Sequence, residues 1–251
     1  MDGGVSHTAS FYRPGPVALE HRLRAVHLEP ACELAERVLL PGDPRRALAV
    51  AQVLLDGPRM FNHSRGLWGY TGMAADGEPL TVQSTGMGGP SAAIVCEELI
   101  VLGARRLVRI GTCGALVDEL SLGDLVSAET VLPEDGSSRA LGADGSLSPD
   151  EELTAALVEA GARPATVVST DLFFDPRRGE AGRWVERGAV AVEMEAATLL
   201  QVAALRGVAA ACVLAVTDVS SDDGSRRAEP AQLEEIGVRL GRTAYEAVRS
   251  R

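Results

Sequence analysis

The sequence predicts a single α/β domain with a mostly parallel or mixed sheet flanked by helices, on three observations. Short apolar runs alternate with helical periodicity from Val38 to the C-terminus. A length of 251 residues with 46% hydrophobic content suits one large core. Glycine-rich and acidic segments fall where the predicted strands end, and in such sheets ligands bind beyond the carboxyl ends of the strands.

The elements follow in order. Residues 1–20 are expected to form a flexible extension ahead of a domain over 21–251, because Met1 to Pro16 is polar and rich in Gly, Ser and Pro, with no signal-peptide core. Val38-Leu39-Leu40 is a short strand stopped by Pro41-Gly42-Asp43-Pro44, where Asp43 suits a helix cap and Pro44 a first helical position. Leu80 to Ser84 is a strand running into Thr85-Gly86-Met87-Gly88-Gly89-Pro90-Ser91. The helix from Pro90 to about Gly103 carries Ile94, Leu99 and Leu102 on its apolar side. Leu107 to Ile110 is a strand stopped by Gly111-Thr112-Cys113-Gly114. There follow a strand near Leu125-Val126-Ser127, a helix from Pro149 to Ala160 and a strand Thr166-Val167-Val168. A buried strand over Ala189 to Val192 leads into a helix over Ala196 to Leu205. The apolar run Val208 to Val216 ends at Thr217-Asp218, and a helix from about Pro230 to Val248 closes the chain.

Composition narrows the function classes. A formal charge of -11 argues against a nucleic-acid partner and against an anionic membrane surface. No apolar run is long enough to span a bilayer. Cys32, Cys96, Cys113 and Cys212 are scattered without a CxxC pair, so a reduced, cytoplasmic, metal-free protein is expected. A dinucleotide fingerprint and a Walker loop are both absent from the sequence.

The chemistry is carried by arginines and by Val192-Glu193-Met194-Glu195-Ala196-Ala197. That run places two carboxylates around a methionine where an apolar strand becomes a helix, a costly location unless a partner or ligand satisfies them. Glutamates there can bind sugar hydroxyls while the thioether lies on the apolar face of a sugar; an acidic helix start favoured by the macrodipole is the simpler reading. Arg46 falls in the first helical turn after the Pro-Gly-Asp-Pro segment, and Arg65 in a loop after Phe61-Asn62-His63-Ser64. Both could be solvated surface residues. Arg109 interrupts an apolar strand, where an unpaired guanidinium is expensive. Planar guanidinium forks suit phosphate oxygens, so these arginines with neighbouring glycine turns describe a phosphate pocket.

Pro41-Gly42-Asp43-Pro44-Arg45-Arg46, Ser84 to Ser91, Arg109-Ile110-Gly111-Thr112-Cys113-Gly114 and Val192 to Ala197 occur in this order. Together, over roughly His27 to the C-terminus, they resemble the trimeric/hexameric nucleoside phosphorylases, which include bacterial purine nucleoside and uridine phosphorylases. The resemblance implies one domain on a mixed, barrel-like sheet. It also implies a hexamer built as a trimer of dimers, with each site completed by a neighbour. It assigns Gly42, Arg46, Arg109 and Thr112 to phosphate, and Arg65 to the partner's phosphate site. It assigns His27 to the partner's ribose, Glu195 to ribose hydroxyls, Met194 to the sugar face, Glu193 to the vicinity of the base and Phe173 to stacking on the base.

The implied reaction is phosphorolysis of a purine nucleoside to free base and (deoxy)ribose-1-phosphate, with inorganic phosphate as co-substrate and no cofactor. A held phosphate dianion stabilises the oxocarbenium-like sugar and attacks it, while the leaving base takes a proton or hydrogen bond. Asp218 is the expected donor, since it ends a buried run where desolvation favours the neutral acid, and Arg226 or Arg227 is its helper. A loop cap is the ordinary alternative for such an aspartate. Uridine phosphorylase remains an alternative branch, although Asp175-Pro176-Arg177-Arg178 stands where that branch has a Gln-x-Arg uracil clamp. A phosphate-independent nucleosidase and a nucleoside-binding sensor are the others.

Overall fold

A computed structural model describes residues 25–221 and 224–249. The expected extension over 1–20 lies outside these residues, as do 21–24.

The first strand, β1 (Arg37–Leu40), ends at the turn that starts α1 (Pro44–Leu54), with the Asp43 side chain accepting from the backbone N–H of Arg45 and Pro44 in the first turn. β2 (Asp56–Asn62) and β3 (Gly69–Met73) form an antiparallel ladder that the sequence reading did not anticipate; five of the seven β2 residues are exposed, so apolar alternation is missing there. β4 (Pro79–Gln83) leads into α2 (Gly89–Leu102). The buried face of α2 is Val95, Cys96, Leu99 and Ile100, whereas Ile94, expected inside, is 39% exposed.

β5 (Arg106–Ala115) runs through Gly111-Thr112-Cys113-Gly114 instead of stopping before it. Glycine continues a strand where another group occupies the space of a side chain, and at Gly111 that group is the Arg109 guanidinium: an added Cβ would lie 2.6 Å from its Nη2 and 2.8 Å from Leu214 Cδ2. β6 (Leu125–Glu134) and β7 (Arg163–Thr170) are longer than expected, with α3 (Gly136–Ala140) and α4 (Glu151–Glu159) between them. Next come α5 (Glu180–Glu186), β8 (Ala189–Glu193) and α6 (Ala196–Arg206). β9 (Ala209–Ser221) carries on past Asp218 into an antiparallel partner, β10 (Gly224–Arg227), before α7 (Pro230–Val248).

The strand order is β10-β9-β6-β7-β8-β5-β1-β4-β3-β2, and an additional β9–β5 pairing closes β5, β9, β6, β7 and β8 into a ring. The expected mixed, barrel-like sheet is therefore present, with a four-strand wing extending from β5. β5 pairs in parallel with β1 and β9 and, at its far end, antiparallel with β8. Its side chains alternate as a strand requires. Val108 and Ile110 join the core beneath α1, α4 and α7 with Val50, Leu153 and Leu240; Leu107 joins the core beneath α2 and α6 with Leu99 and Leu199. Arg109 shares the phase of Leu107, so the pleat aims it at the start of α6.

Candidate active site

Four chain segments meet at the carboxyl ends of β1 and β4, beside the Arg109 stretch of β5. The turn after β1 is zipped to the turn after β4 by two backbone bonds, Thr85 N–H to the Pro41 carbonyl at 2.8 Å and Gly86 N–H to the Gly42 carbonyl at 3.1 Å. Gly42 leaves little room for a side chain, since a Cβ would lie 3.0 Å from the Gly86 carbonyl oxygen. The second turn then offers the N–H of Gly88 to Glu195 Oε1 at 2.6 Å. The junction between β8 and α6 is thereby tied to the glycine turn ahead of α2.

Arg109 is 5% exposed and sits between the two glutamates. Its Nε donates to Glu193 Oε2 at 2.9 Å, and its Nη2 pairs with Glu195 Oε2. Burial by itself would depress the guanidinium; the charges of Glu195 and Glu193 outweigh it and raise its pKa, so Arg109 stays charged. The costly unpaired cation feared from the sequence is thus a paired one.

Glu193 is sealed from solvent at its side chain. Its carboxylate accepts from Arg109, from Ser169 Oγ and from the backbone N–H groups of Glu195 and Ala196 at 2.9–3.0 Å. It therefore caps the start of α6 and braces Arg109. Ser169, which also accepts the N–H of Ala197 at 2.8 Å, was missed by sequence reasoning. It lies opposite Glu193 in the β7–β8 register, a pairing that no local motif encodes.

Glu195 is 5% exposed. Burial pushes its carboxyl above the usual glutamate value, the Arg109 charge pulls against that shift, and the Glu193 charge adds to it. Met194, between the two glutamates, is half-buried. Arg46 reaches the same region from α1: its Nη1 donates to the Ile110 carbonyl at 3.4 Å, and its stem lies 3.2 Å from where a Cβ on Gly237 of α7 would sit. Burial lowers its pKa and Arg109 adds to the effect, while Asp43 and Glu195 oppose it. Thr112 is half-buried on β5, opposite Ala215 of β9. A cavity of about 10 Å³ bounded by Leu40, Thr85, Arg109 and Glu195 marks the bottom of this cluster. A larger groove of about 440 Å³ beside Glu159, Glu246 and Arg249 lies on the opposite core's helices and touches none of these groups.

Asp218 stands opposite Gly114 of β5, which itself pairs with Val192 of β8, so the sheet brings it to the same end as Glu193. Thr217 Oγ1 donates to Asp218 Oδ2 at 2.8 Å, and Arg227 Nε lies 3.3 Å from its Oδ1. The register settles which arginine faces it: Arg227 pairs with Asp218, and Arg226 with Val219 on the other phase of the hairpin. The Asp218 side chain is 27% exposed, so it is not enclosed in the way a strand end implied, and the strand does not end there. The guanidinium of Arg227 lies 5.9 Å from the centroid of the Phe173 ring, within cation–π range, and Phe173 meets Phe174 edge-on at 4.9 Å. Phe173 is 59% exposed, an open aromatic face instead of a core filler.

Two expected residues stand apart from this cluster. Arg65 is exposed, in a single-turn 3-10 segment (Ser64–Gly66), and has no ion-pair partner among the described residues. With φ of 58° it is the one non-glycine residue of positive φ among them. A non-glycine residue held there costs energy locally and tends to mark a functional position. His27 lies against α2, where its ring meets Glu98.

No helix among the described residues is long and apolar enough to cross a membrane. Comparison with known proteins places these features in a family. The phosphorylase superfamily is matched over residues 36–250. A DeoD-type purine nucleoside phosphorylase of Geobacillus kaustophilus is 38% identical over 196 residues, covering 74% of this chain and 82% of the relative. One from Alkaliphilus metalliredigens is 34% identical over 215 residues, 82% of this chain and 92% of the relative. A third, from Caldanaerobacter subterraneus, is 37% identical over 195 residues, 74% and 84% of the two chains. The chain belongs to the phosphorylase superfamily, among the nucleoside phosphorylases that its glycine, arginine and glutamate segments resemble.

Proposed function

We propose that the protein cleaves purine nucleosides with inorganic phosphate, releasing the base and (deoxy)ribose-1-phosphate. The observation that carries this reading is the placement of buried Arg109 and half-buried Arg46 against Glu195 beside the ends of β1 and β4. The DeoD-type relatives support the purine branch.

In this reading the Gly42 turn, Arg46, Arg109 and Thr112 hold the phosphate dianion, and Arg65 of a neighbouring subunit completes the cradle. Arg109 has more N–H donors than its two carboxylate contacts use. Phosphate arriving at the remaining fork weakens the hold on Glu195, and Glu195 is then available to the ribose hydroxyls. Met194 packs on the sugar, Phe173 stacks on the base, and His27 of the neighbour faces the ribose. Glu193 acts through Arg109. Asp218, with Arg227 beside it, delivers a proton or hydrogen bond to the departing base as negative charge grows there. Fixed guanidinium groups around the phosphate supply the electrostatic part of the rate enhancement. Completion of the site by neighbours makes the working unit a homo-oligomer, a hexamer built as a trimer of dimers, acting in the cytoplasm.

The test is base release from inosine, adenosine and uridine, each with and without phosphate. Phosphate-dependent cleavage of a purine nucleoside with ribose-1-phosphate as co-product is the expected result. Phosphate-dependent cleavage of uridine alone would overturn the role of Asp218. Cleavage without phosphate would overturn the role of the arginines.

A further inference from the structure

The segment ahead of β1 crosses α2 and is tied to it by one carboxylate. Glu98, 8% exposed, accepts from the backbone N–H of His27 at 2.9 Å and of Leu28 at 2.8 Å through Oε2, while its Oε1 lies 2.6 Å from His27 Nδ1. Burial opposes ionisation of this carboxyl, but the hydrogen bonds from Leu28 and His27 hold it below the usual glutamate value, so it only accepts. The hydrogen in the Glu98–His27 contact therefore sits on Nδ1. In a neutral imidazole that leaves Nε2 as a bare acceptor. The His27 side chain is 36% exposed, and no described residue bonds its Nε2. The open edge of the ring is thus an acceptor looking for a donor. A sugar hydroxyl is such a donor.

We propose that Glu98 is a positioning residue that fixes His27 as the Nδ1–H tautomer and so presents Nε2 to accept a hydrogen bond from a ribose hydroxyl of the nucleoside held by the neighbouring subunit. The inference rests on the reading that His27 reaches that ribose. A glutamate serving only to anchor the chain would need the two backbone contacts and would be indifferent to the tautomer.

The substitution Glu98→Gln separates these roles. Its carbonyl oxygen can keep both backbone N–H groups, while its amide NH2 turns toward Nδ1, which must then accept and leave the hydrogen on Nε2. The experiment combines ring 15N chemical shifts near neutral pH, with His27→Asn identifying the His27 signals, and phosphate-supported kinetics. The substrates are inosine or adenosine, whichever the enzyme cleaves, and the corresponding 2′-, 3′- and 5′-deoxynucleosides. The expected result is Nδ1–H in the native protein and Nε2–H in Glu98→Gln. The nucleoside KM then rises about five- to tenfold, as loss of one hydrogen bond implies, with kcat changed less than about twofold. For one deoxynucleoside, which lacks the hydroxyl facing the ring, neither Glu98→Gln nor His27→Asn changes KM. A native ring protonated on both nitrogens, or an unchanged tautomer and KM in Glu98→Gln beside a raised KM in His27→Asn, overturns the role of Glu98 alone. An unchanged KM in His27→Asn on every substrate removes His27 from the site and overturns both.

Discussion

Two buried arginines stand at opposite ends of the same strand pair. Arg37 opens β1 beside Arg106 of β5, while Arg109 lies next to Leu40 where β1 ends. They are equally hidden, at 6% and 5% exposure. Arg37 spends its fork on the protein: Nε to the Pro79 carbonyl at 2.8 Å, Nη1 to the Val248 carbonyl at 3.1 Å, Nη2 to the Glu78 carbonyl at 2.7 Å, and two bonds to Asp76. It staples the end of α7 to the β3–β4 turn. Among the described residues Arg109 is held by two carboxylates, one of which, Glu195, also serves Gly88. A guanidinium whose N–H donors are all spent on the protein is architecture; one with donors in reserve beside the carboxyl end of β1 is free to take a ligand. Burial alone does not distinguish them, and the acceptor list does.

Three substitutions press on that difference. Arg109→Met should reduce kcat/KM for phosphate by about 10³-fold and destabilise the fold by about 3 kcal/mol, because it leaves two buried carboxylates without their cation. Arg109→Lys keeps the charge but loses the fork; it should restore most of the stability and regain only about tenfold in activity. Arg37→Met should cost a similar stability, about 3 kcal/mol in urea melts, with kcat/KM of the folded protein within about twofold. Equal activity losses at the two positions would end the distinction.

Asp218→Asn should lower kcat for a purine nucleoside by about 10²-fold while changing KM little. Because the hairpin register separates them, Arg227→Ala should cost more than Arg226→Ala, and equal losses would break the pairing argument. Gly111→Ala drives a methyl into the Arg109 guanidinium and should raise the phosphate KM about tenfold, measured at saturating nucleoside. The smallest effect concerns pH. Glu195 has a raised carboxyl in the fold, so the folded state binds more protons than the unfolded one, and stability falls as pH climbs from the ordinary glutamate value through the raised one. Glu98 is lowered, so its stabilisation is complete above the ordinary value and is lost as pH falls through the lowered one. Urea midpoints taken across acid pH should show Glu195→Gln flattening the upper decline and Glu98→Gln flattening the lower.

The sequence made the interior legible where periodicity is clean. β1, β4, β8, α6 and α7 lie within a residue or two of their expected bounds, because each carries an apolar run or face that the core buries. β2 and β10 were missed for the opposite reason, being edge strands paired on one side only, and β3, although paired on both sides, was missed because Gly69-Tyr70-Thr71-Gly72-Met73 carries no apolar run. Within the site, Arg46, Arg109 and Glu195 were named from local motifs, and the structure brings them together. Ser169 and Glu98 were not named. Ser169 acquires its partner through strand register, which is a long-range property. Glu98 left a usable trace: it falls three residues after Val95 on the buried face of α2, a position where a carboxylate needs a donor. The choice between Arg226 and Arg227 needed only the hairpin's pleat, which becomes visible once β9 is seen to run past Asp218.

β5 is bordered on both sides over the stretch that carries Arg109, by β1 and β9, while β10 leans on β9 alone. The amides around Arg109 should therefore be among the last in the chain to exchange with deuterium, and those around Arg227 among the first. Substitutions along the Arg227 edge can therefore accumulate without disturbing the doubly bordered strand that holds Arg109 between its two glutamates.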